Sequence, residues 1–386
     1  MKTIIPDYYK DFKCSASKCT DTCCAGWEII IDDETYKKYN YVSGEFGERL
    51  KVNLTLYEDG EPGFILQNDN CPFLNKNNLC DIYTELGEES LCYTCKTYPR
   101  FIEEYCDIRE IGISLSCPEA AKLILQDSKP VTFEVSEDYE MENIYDDINF
   151  DISMQLIPAQ KMAIDILQNR SIDFNHRIAL VLNFAHDIQE KINENELSQI
   201  TYIVDKYSNE NYQKELINEL DKFREKQADK YNNMFKCMNM YKNLNPINDN
   251  WPKILEHAIN YFHKTADVAL YQKQYDGFNE YYKNKTYEYE HLIVYFIFQY
   301  FMKAIFDEEL YSKVTLAVIS YLIIKELNVV RWIDNNYNFD LSDQIDIMHM
   351  YSKEIENSEK TLYDLEEMFN TSEIFDLKQL LILIMN

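Results

Sequence analysis

Ten of the chain's eleven cysteines fall between Cys14 and Cys117, and they are the strongest chemical signal in the sequence. They run Cys14-x4-Cys19-x3-Cys23-Cys24, then Cys71-x8-Cys80, Cys92-x2-Cys95, Cys106 and Cys117. Thiols this close can converge from tight turns and bind a metal as thiolates. Disulfides would need an oxidising compartment. The opening MKTIIPDYYKDFKC has no apolar run of signal-peptide length, so the chain is expected to stay in the cytoplasm, with reduced thiols. Structural zinc on four thiolates is a second option. Histidine could not readily join it, because His176, His186, His257, His263, His291 and His349 all lie beyond the cysteine-rich part. An iron–sulfur cluster held by four thiolates is the third option and the favoured one. Inert packing accounts for some individual thiols. Adjacent Cys23 and Cys24 point in different directions on most backbones, so at least one of them is expected to serve a second role. Surplus thiols could hold a second metal, take part in redox chemistry or pack.

Two familiar cofactor motifs are missing. A radical-type S-adenosylmethionine enzyme shows Cys-x3-Cys-x2-Cys; Cys19-x3-Cys23 begins that pattern, but Gly26 stands at its third position. The chain has eight glycines, and none forms Gly-x-Gly, which argues against a Rossmann-type methyltransferase or dehydrogenase.

These cysteines must be positioned by short elements. Most of the glycine and proline lies before residue 120, where the segments between cysteines read as short strands, turns and single helical turns. The pattern changes near Ser153. Met154–Leu167, Arg177–Ile192, Ile254–His263, Glu290–Phe306 and Ser312–Leu327 carry apolar residues at three- and four-residue spacing. Polar breaks such as Asn245–Asn250 and Asp334–Asn338 separate them, which predicts a helical domain of about ten helices. Glu137–Asp147 reads as an acidic, tyrosine-bearing connector. The expected fold is mainly α: an irregular cysteine-rich metal-binding domain over residues 1–130, then an all-helical domain over residues 131–386.

The 386 residues allow two or three domains, and 46% hydrophobic residues are ample for a core. A net charge of −29 argues against nucleic acid and anionic membranes as partners. A partner presenting lysines would be attracted over roughly a Debye length. The longest apolar stretch, Leu292 to Phe306, is broken by Gln299 and Lys303 and reads as a buried helix, too short to span a bilayer.

Several blocks, in order, carry a family resemblance. Phe12-x-Cys14-x4-Cys19-x3-Cys23-Cys24-x-Gly26-Trp27 resembles the opening of the flagellin lysine N-methylases. So do Cys71-Pro72-Phe73-Leu74, Leu79-Cys80-x-Ile82-Tyr83 with Leu86-Gly87, Cys95-x2-Tyr98-Pro99-Arg100 and Leu115-Ser116-Cys117-Pro118-Glu119. The likeness continues weakly at Leu292–Phe301 and Tyr351–Ser358, so it covers nearly the whole chain. It implies methylation of surface lysines on flagellin, with S-adenosylmethionine as donor and a 4Fe-4S cluster in the N-terminal part. The cysteines that match the family pattern are Cys14, Cys19, Cys23, Cys24, Cys71, Cys80, Cys95 and Cys117; Cys92, Cys106 and Cys237 do not, and are read as packing residues. Lys353 and Asn357 stand where the family pattern has arginine and histidine.

Methyl transfer to lysine is a displacement at a sulfonium carbon and needs a neutral amine, whereas a free lysine has a pKa of about 10.4. Burial lowers that value. A carboxylate or tyrosine could take the proton, and aromatic faces favour a sulfonium. The expected cofactor holder is an iron not fully ligated by protein, which would anchor the amino and carboxylate groups of S-adenosylmethionine in place of a glycine loop. Arg100, fixed by Pro99, has a planar fork that suits the cofactor carboxylate; a structural ion pair is the competing role. Trp27 and Tyr98 are candidate pocket walls, or else core aromatics. The sequence does not locate the proton acceptor. A non-enzymatic zinc- or iron-chelating protein with a helical partner-binding domain is the alternative function, and an electron carrier is a third.

Overall fold

A computed structural model describes residues 1–27, 29–57, 60–68, 70–137 and 149–386. The expected connector at 137–147 lies outside the described residues except for Glu137. The protein is mainly helical.

The strands are β1 (Lys2–Pro6), β2 (Leu54–Leu56), β3 (Pro62–Phe64), β4 (Arg100–Tyr105), β5 (Ile108–Ile113) and β6 (Phe133–Glu137). A mixed sheet has the order β4-β5-β1-β6. β1 runs parallel to β5, pairing Thr3 with Arg109, and antiparallel to β6, pairing Thr3 with Ser136. β4 and β5 form a hairpin whose turn is Cys106 and Asp107, with Cys106 left-handed at φ 51°. β2 and β3 make a separate small hairpin.

The helices between the cysteines are short: α1 (Asp33–Tyr41), α2 (Gly44–Val52), α3 (Asp81–Leu86), α4 (Tyr93–Thr97) and α5 (Pro118–Gln126). After Asn149 come α6 (Phe150–Leu167), α7 (Phe174–Asn193), α8 (Gln199–Ser208) and α9 (Glu210–Leu220). α10 (Gln227–Lys242), α11 (Trp251–Asn260), α12 (Val268–Tyr282), α13 (Thr286–Tyr300) and α14 (Ala304–Asp307) follow. α15 (Leu310–Asp334), α16 (Leu341–Glu356), α17 (Glu359–Thr371) and α18 (Leu377–Met385) close the chain. That makes thirteen α-helices after residue 149 among the described residues, against about ten expected. The excess comes from short helices started by single polar caps. Asn209 accepts from the N–H groups of Asn211 and Tyr212 at the head of α9, and Ser358 from that of Thr361 at the head of α17. Such caps restart a helix with little visible break in the apolar pattern.

α13 and α15 are apolar on every side, as central helices must be, and both are buried along most of their length. The stretch Leu292–Phe306 is indeed largely buried, but it is not one helix: α13 gives way to a tighter turn over Phe301–Lys303 before α14. Among the described residues no helix is long and apolar enough to cross a membrane.

Two cores result. The large one joins the helices after residue 149 to α5 and to Phe12, Tyr105, Ile108 and Ile113 around the mixed sheet. The small one gathers Ile29, Ile31, Tyr39, Leu50, Phe64, Cys71, Phe73, Ile82 and Cys92. Cys71 and Cys92 belong to the small core, and Cys24, Cys80 and Cys95 pack against it.

Candidate metal centre

All eleven cysteines are free thiols, so no disulfide competes with a metal for them. The small core delivers several to one region. Asp32 caps α1 by accepting from the Thr35 N–H at 2.9 Å, and its other oxygen accepts from the Tyr93 N–H at 2.8 Å. One carboxylate therefore fixes both α1 and the first turn of α4, which carries Cys95. Arg49 on α2 donates to Asp81 Oδ2 at 2.7 Å and to the Pro72 carbonyl at 2.6 Å, tying down the segment from Cys71 to Cys80. Its guanidinium also lies 5.1 Å from the Phe73 ring centre. The Cys71 N–H donates to the Cys24 carbonyl at 2.7 Å, bringing the first cysteine segment onto the second.

Cys23 and Cys24 Sγ stand 4.0 Å apart, and that contact is the main reason the Cys23 thiol is raised. Burial pushes the Cys71 thiol up to about 12, with the Cys80, Cys92 and Cys23 sulfurs adding to it. Burial also raises Cys80, again with a contribution from Cys23. Cys95 is raised by its hydrogen bond with Cys92 and feels Cys24 and Cys71; the same bond lowers Cys92. Cys23, Cys24, Cys71, Cys80, Cys92 and Cys95 thus form one electrostatically linked group. Crowding of this kind disfavours several bare thiolates, and a bound cation relieves it. Cys117 is pushed by burial to about 11 and senses Cys19 and Cys14. Cys14 is exposed and accepts from the Ala16 N–H at 3.4 Å.

Cys80, Cys92 and Cys117 occupy the residues that immediately precede α3, α4 and α5. Nearby N–H groups of the first turn, those of Ile82 and Tyr83 for Cys80 and of Glu119 and Ala120 for Cys117, offset part of the effect of burial on these thiols. Such donors favour the thiolate, the ligating form. Cys92, read from the sequence as a packing residue, is fully buried and is also the hydrogen-bond partner of Cys95. The Cys-x2-Cys spacing was the signal for it. Cys237 lies within the large core on α10, where burial pushes its thiol up to about 12, and Cys106 sits in the β4–β5 turn.

Among the described residues, only His186, Asp187 and Glu190 bring three metal-type ligand atoms within 4.8 Å of one another. Asp187 is already engaged by Tyr207 at 3.1 Å and Lys206 at 3.6 Å. No three thiols are that close, whereas the edge of a zinc–thiolate tetrahedron is about 3.8 Å when Zn–S is ~2.3 Å.

Two of the three residues expected to meet a cofactor, Trp27 and Tyr98, lie near the thiols. Trp27 and Tyr98 form a ring pair with centres 5.6 Å apart. The Trp27 indole donates to the Cys23 carbonyl at 2.9 Å, and the Tyr98 hydroxyl lies 2.9 Å from the Ser116 carbonyl. Arg100 is half-buried, with its guanidinium 5.2 Å from the Phe12 ring centre and 5.9 Å from that of Tyr9. Among the described residues it has no carboxylate partner, so the competing role, a structural ion pair, finds no acceptor there.

The helical half grips the same loops. Asp21 Oδ2 lies 2.8 Å from His349 Nε2 and accepts from Lys353 Nζ at 2.7 Å. Burial works to raise this carboxyl, but those two hydrogen bonds outweigh it and hold it well below the usual carboxylate range. Gly26 sits at φ +84°, where a Cβ would stand 2.6 Å from Ile247 Cγ2 and 3.6 Å from Lys353 Cε. A third cysteine of the radical-type motif would therefore not fit at this position.

A family model described as the FliB lysine N-methylase C-terminal domain matches residues 160–383, more than half of the chain. The chain belongs to the FliB lysine N-methylase family. Lysine-N-methylases of Salmonella typhimurium (strain LT2) and Salmonella choleraesuis (strain SC-B67) are each 30% identical over 169 residues, covering 42% of this chain and 40% of the relative. The flagellar biosynthetic protein FliU of Salmonella muenchen is 31% identical over 147 residues, covering 36% of this chain and 86% of that protein. The chain thus spans about 40% of the length of the lysine-N-methylases it matches. No solved structure matches it. The family match begins after all ten clustered cysteines, so the metal centre rests on the thiols themselves.

Proposed function

We propose that this chain is an S-adenosylmethionine-dependent protein-lysine N-methyltransferase acting on flagellin, with a 4Fe-4S cluster held by its N-terminal thiols. Family membership through residues 160–383 is the observation that carries the methylase reading, and the relatives' flagellar name points to the substrate. The domain reading places the cluster in residues 1–130 and its support in residues 131–386, in the cytoplasm.

The donor set fits an iron–sulfur centre. It is all thiolate, and no three of its sulfurs lie within 4.8 Å of one another, which suits ligands to separate irons of one cluster better than a zinc tetrahedron. Cys23, Cys24, Cys71, Cys80 and Cys95 would supply ligands from the linked group, with Cys14, Cys19 and Cys117 as a second set. When bound, the cluster supplies a Lewis-acidic iron able to anchor the amino and carboxylate groups of S-adenosylmethionine.

This chain's own residues do the rest. Arg100, held between two aromatic rings and lacking a carboxylate of its own, is poised for the cofactor carboxylate. The Trp27 and Tyr98 faces favour a sulfonium. Excluding water from the substrate ammonium on docking would lower its pKa and promote the neutral nucleophile.

Incubation of anaerobically purified protein with labelled S-adenosylmethionine and flagellin tests the reading. Label on flagellin lysines is the expected result. Its absence from protein with a full cluster would leave the non-enzymatic chelating module as the function.

A further inference from the structure

A chain of hydroxyl groups leaves the Trp27–Tyr98 pair and ends on a carboxylate. Tyr98 Oη is 3.2 Å from Ser116 Oγ, which is 2.8 Å from Ser114 Oγ. Ser114 neighbours the Tyr295 hydroxyl, which donates to Glu356 Oε2 at 2.8 Å. The Leu115 N–H donates to Tyr295 Oη at 3.3 Å, which leaves the tyrosine proton directed at Glu356. Ser116 and Tyr295 are each 1% exposed, so water does not compete at these two links.

The far end is built to take up charge. Glu356 Oε2 accepts from both Tyr295 and Tyr300, the latter at 2.9 Å, while Oε1 is buried with no partner among the described residues. An unpartnered buried carboxylate oxygen is costly, and a proton on it removes the cost. By contrast, the nearby Glu354 is committed to the Ile247 N–H at 2.9 Å. The groups facing Glu356 are the Ser352 hydroxyl of its own helix, the Tyr295 and Tyr300 hydroxyls of α13 and, farther off, the Lys303 ammonium, which pairs with Glu103 at 2.8 Å.

Resting on the methylase reading, we propose that Tyr98, Ser116, Ser114 and Tyr295 form a proton relay that carries the substrate lysine's proton to Glu356. The ammonium gives one proton to Tyr98 Oη, each hydroxyl passes its own proton to the next, and Tyr295 protonates the Glu356 carboxylate. A neutral amine and a neutral carboxylic acid result, with every hydroxyl restored. Burial keeps Tyr98 and Tyr295 well above the ordinary tyrosine value, so both remain protonated donors. Burial also pushes Glu356 up to about 7, near working pH, where a proton acceptor is most effective. Glu356 and Tyr295 act through Tyr98, so they are positioning residues for the proton and do not touch substrate.

The test is the pH profile of methyl transfer to flagellin by the full, cluster-loaded chain, for wild type, Glu356→Gln and Tyr295→Phe. At pH 7, Glu356→Gln should slow transfer about a hundredfold and Tyr295→Phe at least about tenfold. In both, the rising limb of kcat/KM should move to higher pH, towards the value of a free lysine, with iron content and cofactor binding unchanged. Glu356→Asp should restore part of the rate. Should Glu356→Gln fail to fold, Tyr295→Phe keeps the ring packing and reads the same limb. A wild-type limb in a folded variant overturns the relay alone. A wild-type enzyme that moves no label overturns the methylase reading beneath it.

Discussion

The Lys353 ammonium donates to Asp21 Oδ2 at 2.7 Å and to the Thr22 carbonyl at 3.0 Å, so the last turn of α16 holds the loop between Cys19 and Cys23. An arginine expected at this position would reach the same acceptors. Lys353→Met should leave Asp21 half-buried with one partner fewer, lowering stability by about 1–2 kcal/mol. It should also loosen iron retention, while Lys353→Arg keeps both. Urea unfolding with iron analysis checks this; a Met variant matching wild type in both would remove the grip.

Gly26 should tolerate no side chain. Alanine there meets a left-handed φ of +84° and Ile247 Cγ2 at 2.6 Å. Gly26→Ala is expected to cost about 1–3 kcal/mol, and Ile247→Ala should recover the steric part but not the backbone part. A double variant no more stable than Gly26→Ala would contradict the contact.

Arg100→Leu should weaken S-adenosylmethionine binding at least tenfold, roughly 1.4 kcal/mol, and leave iron content intact. Calorimetric titration checks it. Because the guanidinium lies near the Phe12 and Tyr9 rings and a lysine lacks its planar fork, Arg100→Lys should rescue only partly. Equal cofactor affinity in the Leu variant would retire the residue's role.

Cysteine-to-serine replacements should sort by place. Cys71→Ser and Cys95→Ser, from the linked group, should lose the cluster's visible absorbance, whereas Cys106→Ser and Cys237→Ser should keep it. Loss of absorbance in the latter pair would undo the assignment.

Glu110 on β5 is 1% exposed, and burial pushes its carboxyl up to about 8, offset in part by hydrogen bonds from Tyr105 and Gln160. The unfolded state releases this proton near pH 4.5, while the fold retains it until about 8. Stability from this group is therefore full below about 4.5 and falls as pH rises towards 8. Glu110→Gln should flatten that fall and gain on the order of 2 kcal/mol at pH 8 relative to wild type. Urea unfolding at pH 5 and 8 measures it; an equal slope in both proteins would contradict the assignment.

The helical character of the second half was legible because a helix with one buried face repeats its apolar residues every three or four positions, as at Leu255, Ala258 and Ile259 of α11. The sheet was harder to read. β1 pairs with β5 across more than a hundred residues, and its burial pattern shows no alternation, so nothing local announces it. The cysteines announced themselves by type and spacing. Cys92 did not stand apart from its neighbours until the fold placed it against Cys95. Asp21 lies more than three hundred residues from His349 and Lys353 along the chain, and only the docking of α16 unites them. Glu356 was invisible for the same reason: what distinguishes it is Tyr295 and Tyr300 from another helix.

The most direct test of the central claim is the iron and acid-labile sulfide content of protein purified without oxygen, with zinc measured in the same sample. Iron and sulfide in equal amounts, matching one 4Fe-4S cluster per chain, and no zinc are the expected result. Stoichiometric zinc without sulfide, or thiols with no metal at all, would contradict it.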